Sequence, residues 1–429
     1  MATLGTVPRV GDDQESTAAW IAGGLAGLTG RANGPALLPS AATVDAVAAL
    51  VVGAPVVEPL ALLGERAALA GHTRAGATSC GGSARLLTTA DGWIAVNLAR
   101  PEDIDLLAAW LGLAAAPDEP WAAVTETVAS RSAEELVERA AELGLPVAAV
   151  GDVAPSEDAV GPTRIGERPP LSGPPLVVDL SALWAGPLCS HLLGLGGARV
   201  VKVESTRRPD GGRRDESGFF DLLNHGKASV ALDLPSTYGL ARLRALLVAA
   251  DVVIEGSRPR ALRGWGIDAE AYLAADDGPR VWVSITAHGR TGPAADRVGF
   301  GDEAAAAGGL VVGDDDGPCF LADAVADPLT GITTARAVEE ALAEGGTWLL
   351  DAALARVAAS VARPGPSVPL DDGRTTLPHA ILAPTSTSVA DRGSGPTASG
   401  PVPPPKTRPV PGRARPLGAD TDSVLADLP

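Results

Sequence analysis

The chain has 429 residues and a formal charge of −18, with 46% hydrophobic and 20% charged residues. That apolar content excludes disorder throughout, and the negative balance excludes a general binder of nucleic acid or of anionic membranes, which would need the opposite sign. Three cysteines, Cys80, Cys189 and Cys319, are too few and too scattered for a disulfide framework or a Cys-rich zinc site. A cytoplasmic, reducing location is expected. Asp12, Asp13 and Glu15 stand where a secretory leader would be basic and then apolar, and no apolar run is long enough to span a bilayer.

Residues 1–80 form an Ala/Leu/Gly-rich segment with little charge. Residues 81–165 read as a small α/β domain. "GWIAVNLA" (92–99) predicts a strand, 103–113 and 132–143 carry helical spacing, and "LPVAAV" (145–150) predicts a second strand. Ser132 with Glu135 three residues on is a capping-box pattern, and Gly144 is a helix stop. "PSEDAVGPTRIGERPPLSGPP" (155–175) reads as a linker.

From 176 to 290 short β-branched strands alternate with helices: strands at 176–180, 198–204, 228–234, 251–256 and 280–289, helices from the "AGP" turn (185–187) to Leu195 and over 238–250. The pattern predicts an α/β fold, a Rossmann-like parallel sheet in a large domain over 166–362. In such a sheet ligands sit at the carboxyl ends of the strands. Residues 332–344 and 351–362 read as helices. Residues 363–429 form a Pro-rich tail or arm, ending in a short helix near 419–428. Residues 19–39 resemble 304–322, and 53–69 resemble 345–360, so the first 80 residues read as a degenerate partial copy of the large domain.

Two loops make a basic cluster in an acidic protein. "KVESTRRPDGGRR" carries Lys202, Arg207, Arg208, Arg213 and Arg214, and "GSRPRALRGWG" carries Arg258, Arg260 and Arg263. Guanidinium forks at one sheet edge suit a ligand with several phosphates, against the bland reading of solvated loops. In "LADAVADPLTGI", Asp327 lies between apolar residues before a proline, either a helix cap or a buried acid able to attack an activated acyl group, with Asp323 as its competitor. The five histidines show no zinc spacing, so no metal is expected. His288 lies at a strand end where it can line a pocket, and Cys189 reads as a small core residue. No dinucleotide G-x-G-x-x-G follows the first strand of the large domain, and no phosphate-binding GxxxxGK[ST] is present.

Together these segments resemble the class III CoA-transferases, the family of formyl-CoA and carnitine CoA-transferases. The resemblance rests on "VVDLSALWAGPLCSHLLGLGGARVVKVE" (177–204), "NHGKASVALDL" (224–234), "ADVVIEGSRPRALRGWGI" (250–267), "VSITAHGRTGPAADRVGF" (283–300) and "VADPLTGITTA" (325–335). Residues 81–165 resemble the family's small domain but precede the large one, a rearranged order. The resemblance implies a CoA-transferase in which Asp327 is the nucleophile. It also implies CoA and acyl-CoA as substrates, no tightly bound cofactor, and a homodimer. Leu183, Trp184, Lys202, Arg207, Arg208, Lys227, Gly256, Arg258, Arg260 and His288 are the implied CoA-binding residues, and backbone N–H groups near Gly308 and Gly309 the implied oxyanion donors. Gly256, Arg260 and Ser205 depart from the family pattern in the phosphate loops. The run Gly299–Phe300–Gly301 stands where racemases of the family carry a His base, which ranks an acyl-CoA racemase or isomerase below the transferase; the altered phosphate loops and rearranged domains leave a catalytically impaired CoA-binding pseudoenzyme as the other alternative.

Overall fold

The computed structural model describes residues 10–50, 52, 57–156, 159–234, 236–257, 259–363, 365, 367–370 and 402–428. Its strands, in chain order, are β1 (Ala36–Leu38), β2 (Ala84–Thr88), β3 (Trp93–Asn97), β4 (Val147–Ala149), β5 (Val160–Gly166), β6 (Leu176–Asp179), β7 (Arg199–Ser205), β8 (Ala228–Leu232), β9 (Val252–Glu255), β10 (Val281–Thr286), β11 (Val311–Asp314), β12 (Gly317–Phe320), β13 (Thr347–Ala353) and β14 (Val368–Leu370).

A seven-stranded sheet in the order β5-β13-β10-β9-β6-β7-β8 forms the centre, parallel throughout except for β5. Its runs are apolar on both faces because both faces are covered: Val177, Val252, Val281 and Val283 pack into one core, Val178, Val201, Val253 and Trp282 into the other. Each such side chain contributes about 1.5–3 kcal/mol on burial. The sequence pattern places β6 to β10 to within a few residues. It misses two strands at the other side of the sheet.

Residues 160–166, expected to be linker, pair antiparallel with β13. An edge strand tolerates Pro162 because it pairs on one side alone, and its mid-strand residues are exposed, so its composition mimics a loop. The stretch expected to be helical from 351 is strand as far as Ala353, and only Leu354–Val361 is helix. At the far edge, the C-terminal residues cover β8: Ser229 N–H donates to Asp420 and Ala231 N–H to Thr421 Oγ1, with the helix Thr421–Ala426 above.

The antiparallel sheet β2-β3-β4 is backed by the helix Ala133–Leu143, capped by Ser132 Oγ and stopped by Gly144 in the left-handed region. It docks on the helix Gly301–Ala307 through Gly151 N–H to Ala306 and Val153 N–H to Ala307. The N-terminal residues pack on the central layer: Leu62, Leu63 and Ala67 share a core with Leu188, Ile332 and Val338. No described helix is long and apolar enough to cross a membrane.

Candidate active site

Asp327 opens the nineteen-residue helix Ala326–Glu344, in the first turn, where the helix dipole favours a carboxylate. The cap position is Val325, so Asp327 is not itself the cap. This helix crosses the helix Ala185–Leu195 at close range: a methyl on Gly331 would meet Ala185 O at 2.8 Å. Tight packing of helix on helix fixes where Asp327 stands.

Asp327 keeps some exposure as a residue, but its carboxyl is shielded from water and makes no ion pair among the described residues. Burial pushes its pKa up to about 7. Arg66 pulls against that, Asp302 and Asp323 add to it, and the Gly301 N–H lowers it. Asp302 is raised by burial to about 6 and Glu303 to about 8. Asp323 behaves oppositely. Burial would raise it, but the Arg66 guanidinium holds it at about 2 through Nε to Oδ2 at 2.9 Å and Nη2 to Oδ1 at 2.5 Å. Asp323, the sequence competitor, is thus committed to an ion pair, and Asp327 is the carboxyl left over.

Backbone strain converges here. Among the described residues the non-glycines with left-handed backbone are Leu183, Ala322 and Ala324. The two alanines flank Asp323, and Leu183 precedes Trp184, whose ring lies 4.9 Å beneath the Arg66 guanidinium. Such conformations cost on the order of 1–3 kcal/mol each and persist where surrounding structure over-determines them.

Gly301 is required by close approach. A Cβ there would lie 2.4 Å from Asp327 Oδ2 and 2.4 Å from Ala324 O. Gly301→Ala is therefore expected to push the carboxyl or the Ala324 carbonyl aside and to lower Tm. An unchanged Tm would refute that placement.

His288 lies at the carboxyl end of β10, with neither ring nitrogen hydrogen-bonded. Burial, then the charge of Arg297, push it down to about 3, so the ring is neutral. A Cβ on Gly299 would come within 3.5 Å of His288 Nε2 and 3.4 Å of Glu303 Oε1, which places both beside the Gly299–Gly301 turn. Asn97 of β3 donates to Glu303 Oε2 at 2.9 Å, bringing the small sheet to the same wall.

The implied CoA residues divide. Strand order sets the loops after β9, β6 and β7 side by side, and there Leu183, Arg207, Arg208, Gly256 and Arg260 are exposed. Arg207 is already forked onto Asp233, Arg260 stands 3.7 Å from Asp296, and the Arg208 side chain has no partner among the described residues. Arg258 lies outside the described residues. Three others face inward. Trp184 packs edge-on against Phe219. Lys202 is buried, donating to Ser181 O and pairing with Asp210 at 2.9 Å, and Asp210 in turn accepts the Leu183 N–H. Lys227 is buried with Asp179, Ser190, Asn224 and Pro187 O around its ammonium. These two lysines brace the loops rather than present charge to a ligand. The oxyanion expectation at Gly308 and Gly309 is corrected: both N–H groups cap the helix Gly301–Ala307, and Gly308 is pressed against Ala355 and Ala359. A groove of about 560 Å³ lined by Trp93, Val137, Asp152 and Arg297 runs along the small sheet, with none of the expected site residues in its wall.

Residues 175–366 match CoA-transferase family III. The chain is 34% identical over 192 residues, 41% of its length and 47% of the relative's, to succinate–glutarate CoA-transferase of Agrobacterium fabrum. It is 35% identical over 141 residues, 31% of its length and 35% of the relative's, to succinyl-CoA–D-citramalate CoA-transferase of Chloroflexus aurantiacus. Among solved structures, a CAIB/BAIF family protein from Brucella suis is 32% identical, with a TM-score of 0.40, covering 43% of this chain and 53% of that one. The chain spans less than half the length of these two curated relatives. The matched segment contains β6 to β13 and Asp327. Arg66 and Asn97, which reach its acidic cluster, lie outside it.

Proposed function

We propose that the protein is an acyl-CoA:carboxylate CoA-transferase working through a covalent intermediate on Asp327. What carries this reading is a carboxyl at a helix start that has no ion pair among the described residues, is raised to about 7, and is given room by Gly301. A carboxylate near its pKa at neutral pH is both ionised in useful fraction and more nucleophilic than an ordinary one.

In this scheme an Asp327 oxygen attacks the thioester carbon of an acyl-CoA. The C–S bond breaks, CoA leaves as thiolate, and a mixed anhydride remains. The thiolate then attacks the Asp327 carbonyl carbon and expels the first carboxylate, leaving an aspartyl-CoA thioester. An acceptor carboxylate attacks that thioester and releases the thiolate. The thiolate attacks the new acyl carbon, giving the product acyl-CoA and free Asp327. The anhydride demands exclusion of water, to which the buried surroundings of Asp327 contribute. The exposed Arg207, Arg208 and Arg260 at adjoining loop ends offer charge to the CoA phosphates. The homodimeric state and cytoplasmic location belong to the same proposal, the first resting on the resemblance and the second on three thiols without a disulfide.

Hydroxylamine added with succinyl-CoA, an acyl donor taken from the relatives' names, should convert Asp327 to a hydroxamate detectable by peptide mass, with no such product in Asp327→Ala. No adduct with any short acyl-CoA would favour a CoA-binding pseudoenzyme. One observation favours a second reading within the family: His288 is a neutral ring with free nitrogens at the wall that also holds Gly301. Paired with Asp327 it would supply the two proton-transfer groups of an acyl-CoA racemase, and deuterium wash-in at the α-carbon of a 2-methylacyl-CoA would select that reading.

A further inference from the structure

We propose that Arg66, supplied by the N-terminal segment outside the family III match, is a positioning residue for Asp327. Clamped on Asp323 and seated on Trp184, its guanidinium provides the positive charge that sets the ionisation of Asp327 and fixes the strained loop before it. The inference rests on the covalent role given to Asp327 above.

The geometry joins three elements. Arg66 sits in the first turn of the helix Glu65–Ala70. Its fork matches Asp323 bidentately, and its flat face lies on Trp184 at 4.9 Å, at the start of the helix that packs against the Asp327 helix. The neighbouring Glu65 anchors the same turn from the other side. It is buried and grips Arg408 through Nε at 2.6 Å and Nη2 at 2.9 Å, and Arg408 Nη1 contacts His191 Nε2 at 3.0 Å. The helix is therefore pinned at both residues, and Arg66 cannot swing away cheaply.

The charges that bear on Asp327 are unequal in sign. Asp302 comes from the helix Gly301–Ala307, where Glu303 lies beside it, and Asp323 from the preceding loop. From the N-terminal segment come Arg66, with His72 Nδ1 3.6 Å from Asp323 Oδ2, and beyond them Cys80, whose thiol donates to Ala322 O. Against these carboxyls Arg66 is the permanent cation acting on Asp302, Asp323 and Asp327 alike. A lysine would keep the charge but lose both the fork and the stack.

The test is the pH profile of the acylation step, read as hydroxamate formed in a single turnover, with Tm recorded for every protein. The wild-type rate should rise with pH through the ionisation of Asp327. Arg66→Met should move that midpoint up by about one unit or more, so that the rate falls about tenfold below the midpoint and recovers toward pH 9. Asp323→Asn removes a negative neighbour and leaves Arg66 in place, so its midpoint should move down. Arg66→Lys should keep much of the midpoint but raise KM or lower kcat through lost positioning. If Arg66→Met does not fold, Arg66→Lys and Asp323→Asn still decide the matter. A purely structural staple would lower Tm and rate in all variants while leaving the midpoint where it is, and that result overturns the inference. Absence of hydroxamate in the wild type would instead overturn the covalent role of Asp327.

Discussion

Asp327→Asn is expected to abolish CoA transfer, by about 10⁴-fold or more, while making the protein more stable at neutral pH. The first effect follows because an amide cannot form the anhydride, and loss of a covalent nucleophile costs on this scale. The second follows from linkage. In the unfolded chain the carboxyl titrates near 3.8, in the folded protein at about 7. Between those values the folded state holds a proton that the unfolded state has lost, so stability falls as pH rises through the window, and the cost is complete above it. Asparagine never ionises and escapes that cost. The Tm gain should therefore be present at pH 8 and absent at pH 4. Tm measured at both values checks the stability claim. An equal gain at the two pH values would contradict the buried-acid description, and turnover within tenfold of wild type would contradict the nucleophile.

Lys227→Met carries the largest expected loss of stability. Its ammonium is buried and lies 3.2 Å from Asp179 Oδ2, and Asp179 also accepts from Ser181 and Ser190. Burial would raise Asp179, but Lys227, then Lys202 and the two hydroxyls, hold it at about 2. Removing the lysine strips that carboxylate of its nearest countercharge in the core and leaves only Lys202 and the Ser181 and Ser190 donors, which costs about 3–5 kcal/mol. Total stabilities are about 5–15 kcal/mol, so this loss is a large share. Denaturant titration should show it, and Lys227→Met with Asp179→Asn should recover part of it because no charge is then stranded. A lysine serving CoA phosphate would behave differently, with unchanged stability and weaker, more salt-sensitive CoA binding. That outcome would overturn the bracing role.

What was legible in the sequence was local. The runs "LVVD", "RVVKVES" and "VVIE" announce buried parallel strands because a sheet covered on both faces favours consecutive apolar, β-branched residues, with charge kept near the carboxyl ends. Ser132 and Gly144 mark the ends of their helix by chemistry acting over a few residues. Asp327 stands out as an acid in an apolar stretch. By contrast, Arg66 in "LLGERAALA" reads as an ordinary helix start. Its partner Asp323 is 257 positions away, and the partner of Asn97, Glu303, is 206 away. Contacts at such separations leave no periodic trace. The same reason misdirected the lysines. Lys202, read with the basic loop that follows its strand, and Lys227, implied by the resemblance, were expected to face CoA, whereas the structure turns them inward onto Asp210 and Asp179. β5 was hidden because an edge strand wears the composition of a loop.

The most direct measurement traps the thioester rather than the anhydride. Wild-type protein incubated with succinyl-CoA and reduced with borohydride should yield a peptide in which the side chain of Asp327 has become the corresponding alcohol, because borohydride reduces a thioester and spares a free carboxylate. Reduction confined to position 327, and dependent on acyl-CoA, is the result predicted. An unreduced Asp327 in turning-over enzyme, or reduction at Asp302 or Asp323 instead, would contradict it.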